Sequence, residues 1–162
     1  MTEAAAAAPQ RIDTITLDER TVIRRSRAIE DERAAAITDL LKDNQFTPLS
    51  GRAGPFHLHL AIAENRLSME IRAAADGSTE SIVLPLAPFR RIVKDYFLVC
   101  ESYYEAIRDK TLTQVEAIDV GRRSLHDEGS ELLTERLAGK VAIDHDTARR
   151  LFTLICVLHL RS

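Results

Sequence analysis

Between Phe56 and Leu86 the apolar residues recur at every second position, and from Pro88 onward they recur every three or four. Such a change of period separates strands from helices and restricts the chain to folds in which a sheet is covered by helices. In the first stretch Phe56, Leu58, Leu60 and Ile62 alternate with His57, His59, Ala61 and Ala63. Leu67, Met69 and Ile71 then alternate with Arg66, Ser68, Glu70 and Arg72. Glu64-Asn65 supplies one tight turn and Asp76-Gly77 a second, stronger hairpin signal. The third strand, Glu80–Leu86, is ended by Pro85 or confined by it to an edge.

Pro88 is well placed to open a helix, and Phe89, Ile92, Val93, Tyr96, Cys100, Tyr103, Tyr104 and Ile107 give that helix an apolar face wide enough to predict a central position. A long helix over Gln114–Ala138 follows, with Thr113 and Glu116 at capping-box spacing and Gly139 beyond its end. The last helix starts near Asp144 or Asp146 and runs to His159. Its most apolar part, Leu151–Leu160, is ten residues long, about half of what a membrane span requires, and reads as a buried helix. Upstream, Arg11–Asp18 is strand-prone. Ser26–Asp43 reads as a helix capped by Ser26, with Ile29, Ala36, Ile37, Leu40 and Leu41 on one face and Asn44 at its end. Phe46–Pro55, with two prolines and two glycines, reads as a loop. The expectation is an α+β fold: a three- or four-stranded antiparallel sheet, a β-meander, covered by about four helices.

The chain has 162 residues, 45% of them hydrophobic, enough for one real core, so a single domain over residues 11–162 is expected behind a disordered tail, residues 1–10. A net charge of −3 provides no domain-wide basic field for a phosphate backbone or an anionic bilayer, which argues against nucleic-acid and membrane partners. Cys100 and Cys156 fall in helix patterns without zinc spacing, consistent with a reducing cytoplasm and no metal. No P-loop, GxGxxG, nucleophile elbow or zincin motif is present, and no cofactor is expected.

The long helix carries the most distinctive residues. Val115, Ile118, Leu125, Leu132, Leu133 and Leu137 gather on one face, and Arg122 and His126, one turn apart, point into it. A guanidinium keeps its charge at any ordinary pH, so an inward Arg122 needs an anionic or carbonyl partner. The functional reading makes Arg122 an anion clamp and His126 a proton carrier or ligand contact, with Gly121 and Gly129 admitting a close neighbour. The structural alternative pairs Arg122 with a core carboxylate such as Asp95 or Glu101. Among four Arg-Arg dyads (Arg24-Arg25, Arg90-Arg91, Arg122-Arg123, Arg149-Arg150), Arg90-Arg91 and Arg149-Arg150 fall in early helical turns, where a phosphate or carboxylate could bind. Salt bridging is the plainer account: Arg91 with Asp95, and Asp146 with Arg149 or Arg150. His57 and His59 have HxH spacing, but no third metal ligand accompanies them. Cys100, on an apolar helix face, reads as an inert small hydrophobe.

The strings PFRRIVKDYF (Pro88–Phe97), SYYEAIR (Ser102–Arg108), VEAIDVGRRSLHDEGSELLTERL (Val115–Leu137) and DTARRLFTLICVLH (Asp146–His159) together resemble an uncharacterised bacterial protein family, from about Ile12 to the C-terminus. The resemblance implies a small cytosolic protein and assigns no activity, cofactor or catalytic residue to any position. The residues themselves favour a non-catalytic binding or regulatory module that recognises a protein or an anionic small molecule through Arg122, His126 and nearby arginines. The competing reading is an enzyme acting on a phosphorylated or carboxylated metabolite. That enzyme requires a concave pocket where His126 meets arginines and a carboxylate such as Glu101 or Glu128. A homodimer would show apolar surface on the sheet or the last helix.

Overall fold

The structure, a computed structural model, describes residues 10–18 and 27–159. Most of the expected tail, the Ser26 cap and the Arg24-Arg25 dyad lie outside them. The elements are β1 (Ile12–Leu17), α1 (Arg27–Lys42), β2 (Phe46–Pro48), β3 (Phe56–Ala63), β4 (Arg66–Ala73), β5 (Thr79–Pro85), α2 (Arg90–Asp109) after a 3-10 turn at Ala87–Phe89, α3 (Leu112–Leu137), β6 (Val141–Ile143) and α4 (His145–His159).

The expected meander is present as β3, β4 and β5, antiparallel and in sequence order. Its register pairs the apolar positions: Leu58 with Ile71, Leu60 with Met69, Met69 with Ile82. All of these are buried, and the intervening positions face outward. Glu64 and Asn65 both have positive φ, 53° and 62°, as a two-residue hairpin with the twist of its strands requires. β5, with Pro85, is an edge strand. The other edge is β1, which runs parallel to β3 and makes the sheet mixed. The connection between them contains α1, and a crossover of that length joins parallel strands. Asn44 ends α1 as expected and also fixes β1: its side-chain amide donates to the Leu40 and Ile12 carbonyls, and its Oδ1 accepts from the Ile12 amide.

Three expectations need correction. The stretch read as a loop contains β2, which pairs antiparallel with β6; three-residue strands are too short to show alternation. The capping box of α3 is Thr111 with Gln114, not Thr113 with Glu116. The central helix is α4 rather than α2. Every residue from Leu151 to Leu158 is buried, as befits a helix with no polar face, whereas α2 leaves Leu98 and Ile107 in solvent. One apolar core cluster extends from Ile12 through the sheet and helices to Leu158. Among the described residues no helix is long and apolar enough to cross a membrane.

Candidate functional site

α3 is continuous through Gly129-Ser130, so the stripe stays on one face along its whole length. Gly129 explains itself: a Cβ there would lie 2.4 Å from the Phe152 ring, so α4 sits directly on the α3 backbone. Gly121 has nothing within 4 Å, and the close neighbour expected there is absent. The close approach at Gly129 brings the first turns of α4 up to His126, one turn earlier on α3.

His126 is 8% exposed, and both ring nitrogens are engaged. Nδ1 lies 3.4 Å from the Arg149 guanidinium, which can only donate. Nε2 therefore carries the proton, within reach of the Tyr96 hydroxyl at 3.0 Å and Thr153 Oγ1 at 3.2 Å. The Thr153 hydroxyl donates to the Arg149 carbonyl at 3.1 Å, leaving its oxygen to accept from the imidazole. Burial, followed by the positive charges of Arg149 and Arg122, pulls the His126 pKa down to about 4. The ring is neutral throughout the physiological range.

Arg122 points inward as expected, with its side chain 21% exposed, and it is held on three sides. It donates to Glu32 of α1 at 2.8 Å and to Asp119, one turn back, at 2.8 and 3.1 Å. Its Cζ lies 4.5 Å from the centre of the Tyr103 ring, a cation–π distance. Burial opposes its charge, but the two carboxylates outweigh this and raise its pKa further. Arg122 is thus the closed structural pair anticipated as the alternative, with the partners corrected: Glu32 and Asp119 rather than Asp95 or Glu101. The same Glu32 oxygen accepts weakly from the Cys100 thiol at 3.5 Å. Burial, reinforced by Glu32, pushes that thiol up to about 12, so Cys100 is inert as expected.

Between α1, α3 and α4 lies a cleft of about 140 Å³, lined by Glu32, Ala36, Asp39, His126, Arg149, Arg150 and Thr153 among others. The fold thus brings together His126 and Arg149-Arg150 from the residues singled out in the sequence, with Arg122 just behind Glu32. It does not bring in Arg90-Arg91. Arg91 is exposed and tied to Asp95 at 3.1 Å and to Glu128, the plainer account given for that dyad. Among the described residues the expected pairing of Asp146 with Arg149 or Arg150 is absent and Arg150 makes no ion pair; Arg149 reaches His126 instead. Arg149 Nε is buried without an acceptor.

Sequence reasoning missed Glu32, Asp39 and Thr153. Two signals were available: Glu32, Ala36 and Asp39 are spaced i, i+4, i+7 on one helix face, and Thr153 stands four residues after Arg149. His57 and His59 lie on the outer sheet face, where Thr14 and Thr16 of β1 hydrogen-bond their rings at 2.5 to 3.1 Å. Among the described residues no group of three or more potential metal ligands forms. The apolar surface sought as a sign of dimerisation is not on α4, which is buried. The sheet presents one such residue, Val83 of β5, and further large exposed apolar residues stand on α2 and α3, among them Ile107, Leu112 and Val120.

A family described as an uncharacterised protein family, UPF0262, matches residues 9–161. A UPF0262 protein of Rhodospirillum rubrum is 60% identical over 147 residues, 91% of each chain. One of Rhizobium etli is 50% identical over 156 residues, 96% of this chain and 99% of that protein. One of Azorhizobium caulinodans is 54% identical over 155 residues, covering 93% and 94%. No solved structure matches the chain. With nearly its whole length matched, the chain belongs to the bacterial family UPF0262.

Proposed function

We propose that the protein is a cytoplasmic, single-domain binding or regulatory module that holds a small anionic molecule in the α1–α3–α4 cleft without transforming it. The observation that carries this reading is the state of the cleft's cations. Arg150 lines the cleft with no ion pair among the described residues, and Arg149 keeps a buried Nε without an acceptor. A guanidinium that lines a cleft without a counter-charge suits a carboxylate or phosphate oxygen, and Arg150 can meet one there. The small volume of the cleft, about 140 Å³, favours a small molecule over a protein surface as the occupant.

Concavity is common to a binding site and an active site, and the state of His126 separates the two. A general acid or base works best with a pKa near the operating pH. His126 is held at about 4, and both of its nitrogens already serve the fold. It acts as the polar floor of the cleft, and Arg122 braces the wall by fixing Glu32. The enzyme reading therefore finds a concave pocket, but His126 does not suit it as the proton carrier.

The test is a thermal-shift panel of inorganic phosphate, ethyl phosphate, acetate, glycine and phosphoethanolamine. A ligand present at about 100 times its Kd stabilises by about 2.7 kcal/mol. At least one member should raise the Tm of the wild type, and Arg150→Met should abolish the rise. A flat response across the panel overturns the proposal.

A further inference from the structure

The cleft is not uniformly basic. One wall is the face of α1 that presents Glu32 and Asp39, two helical turns apart and so about 10 Å along the axis. The other is the start of α4, with Arg149 and Arg150. Among the described residues no ion pair joins the two walls, although a guanidinium from α3 reaches Glu32 at 2.8 Å. Opposite charges that line one cavity without closing on each other leave a space with a positive side and a negative side. A plain anion placed there would satisfy the arginines and face the carboxylates. A molecule that also carries a cation would satisfy both.

Resting on the binding role proposed above, we propose that the occupant is a small zwitterion, with its carboxylate or phosphate on Arg149 and Arg150 and its ammonium on Asp39, the cleft carboxylate that no guanidinium holds among the described residues. Size supports this class. The cleft, at about 140 Å³, is close to the roughly 150 Å³ of a cavity that encloses benzene, so about half a dozen non-hydrogen atoms fill it. A small amino acid or an aminoalkyl phosphate has that size, and its two charges sit at opposite ends. His126 and Thr153 form a neutral polar floor between the charged walls and suit the short chain connecting the ends.

Calorimetric titration of matched pairs tests the proposal: glycine against acetate, β-alanine against propionate, and phosphoethanolamine against ethyl phosphate. In at least one pair the zwitterion should bind at least about tenfold tighter than its anion. Asp39→Asn, a change on an exposed position of α1, should weaken the zwitterion and so shrink that ratio, while the anion, relieved of a facing carboxylate, binds no more weakly than before. If the anions bind as tightly as their zwitterionic partners, or Asp39→Asn leaves the ratio unchanged, the zwitterion assignment fails and the anion-binding role stands. If no member of any pair binds, both fail together.

Discussion

Arg122 and Arg149 both lie beside His126, the first a turn away on the same helix, the second facing it from α4, and they meet opposite surroundings. Arg122 is met by Glu32, Asp119 and the Tyr103 ring. Among the described residues, Arg149 has only the imidazole as a side-chain acceptor and a buried Nε with none. The two guanidinium groups are chemically identical, so the difference lies in what the neighbouring helices deliver. Where α1 brings a carboxylate within reach, the cation becomes a brace of the fold. Where α1 holds its carboxylates back, the cation faces a cavity. An inward arginine is therefore not by itself a sign of a ligand site; the distance to the nearest carboxylate decides.

The largest effect that bears on this contrast comes from His126, which stands between the two arginines. It titrates at about 4 in the fold and near 6.5 when unfolded, so between those values the unfolded chain takes up a proton that the folded chain refuses. Its contribution to stability is complete above pH 6.5 and is lost as pH falls towards 4, by about 3 kcal/mol. Urea unfolding at pH 7.5 and 4.5 should show this drop in the wild type and a smaller one in His126→Gln; equal drops would mean that the ring is not desolvated.

A step smaller is Arg122→Met, which strands Glu32 and leaves Asp119 with Arg123 at 3.1 Å. It should cost about 2 kcal/mol, below the 3 to 5 of a fully buried pair because part of the site reaches solvent. The smallest effect is expected from Arg150→Met, which should change stability by no more than about 0.5 kcal/mol. If denaturation ranked these two variants in reverse, the closed and open sites would have to be exchanged.

Most of the architecture could be read from local pattern because the sheet is polar on one side and greasy on the other. Leu58, Leu60, Leu67, Met69 and Ile71 alternate strictly with residues that face water, and the two hairpin turns fix the register between them. The rank of the helices was harder to read. α2 has a wide apolar face, but its Arg90, Arg91, Lys94 and Asp95 anchor the other side in solvent. α4 has no charged residue from Leu151 to Leu158 and so goes to the middle. Two threonines each stand three residues before a Glu or Gln, and the choice of Thr111 over Thr113 as the cap belongs to the turn that enters the helix.

The candidate site was half legible. That Arg122 and His126 point inward follows from helical spacing. That Glu32 comes to meet Arg122 does not, since 90 residues separate them in the chain. Arg149 meets His126 across 23 residues, through a contact that exists only because Gly129 lets Phe152 lie on the α3 backbone. Gly129 was visible as a sign of close approach, but the identity of the neighbour was not.

The burial of Leu151–Leu158 on every side of α4 has a consequence for how an occupant of the cleft would be felt. Amides in the middle of such a helix have no local route to water and exchange their hydrogens only when the whole chain opens. Arg149 and Thr153, which line the cleft, belong to that same helix. Occupancy of the cleft would therefore slow deuterium uptake along the buried part of α4, Leu151–Leu158, and at every other site that exchanges through global opening, as one cooperative unit, instead of leaving a local footprint.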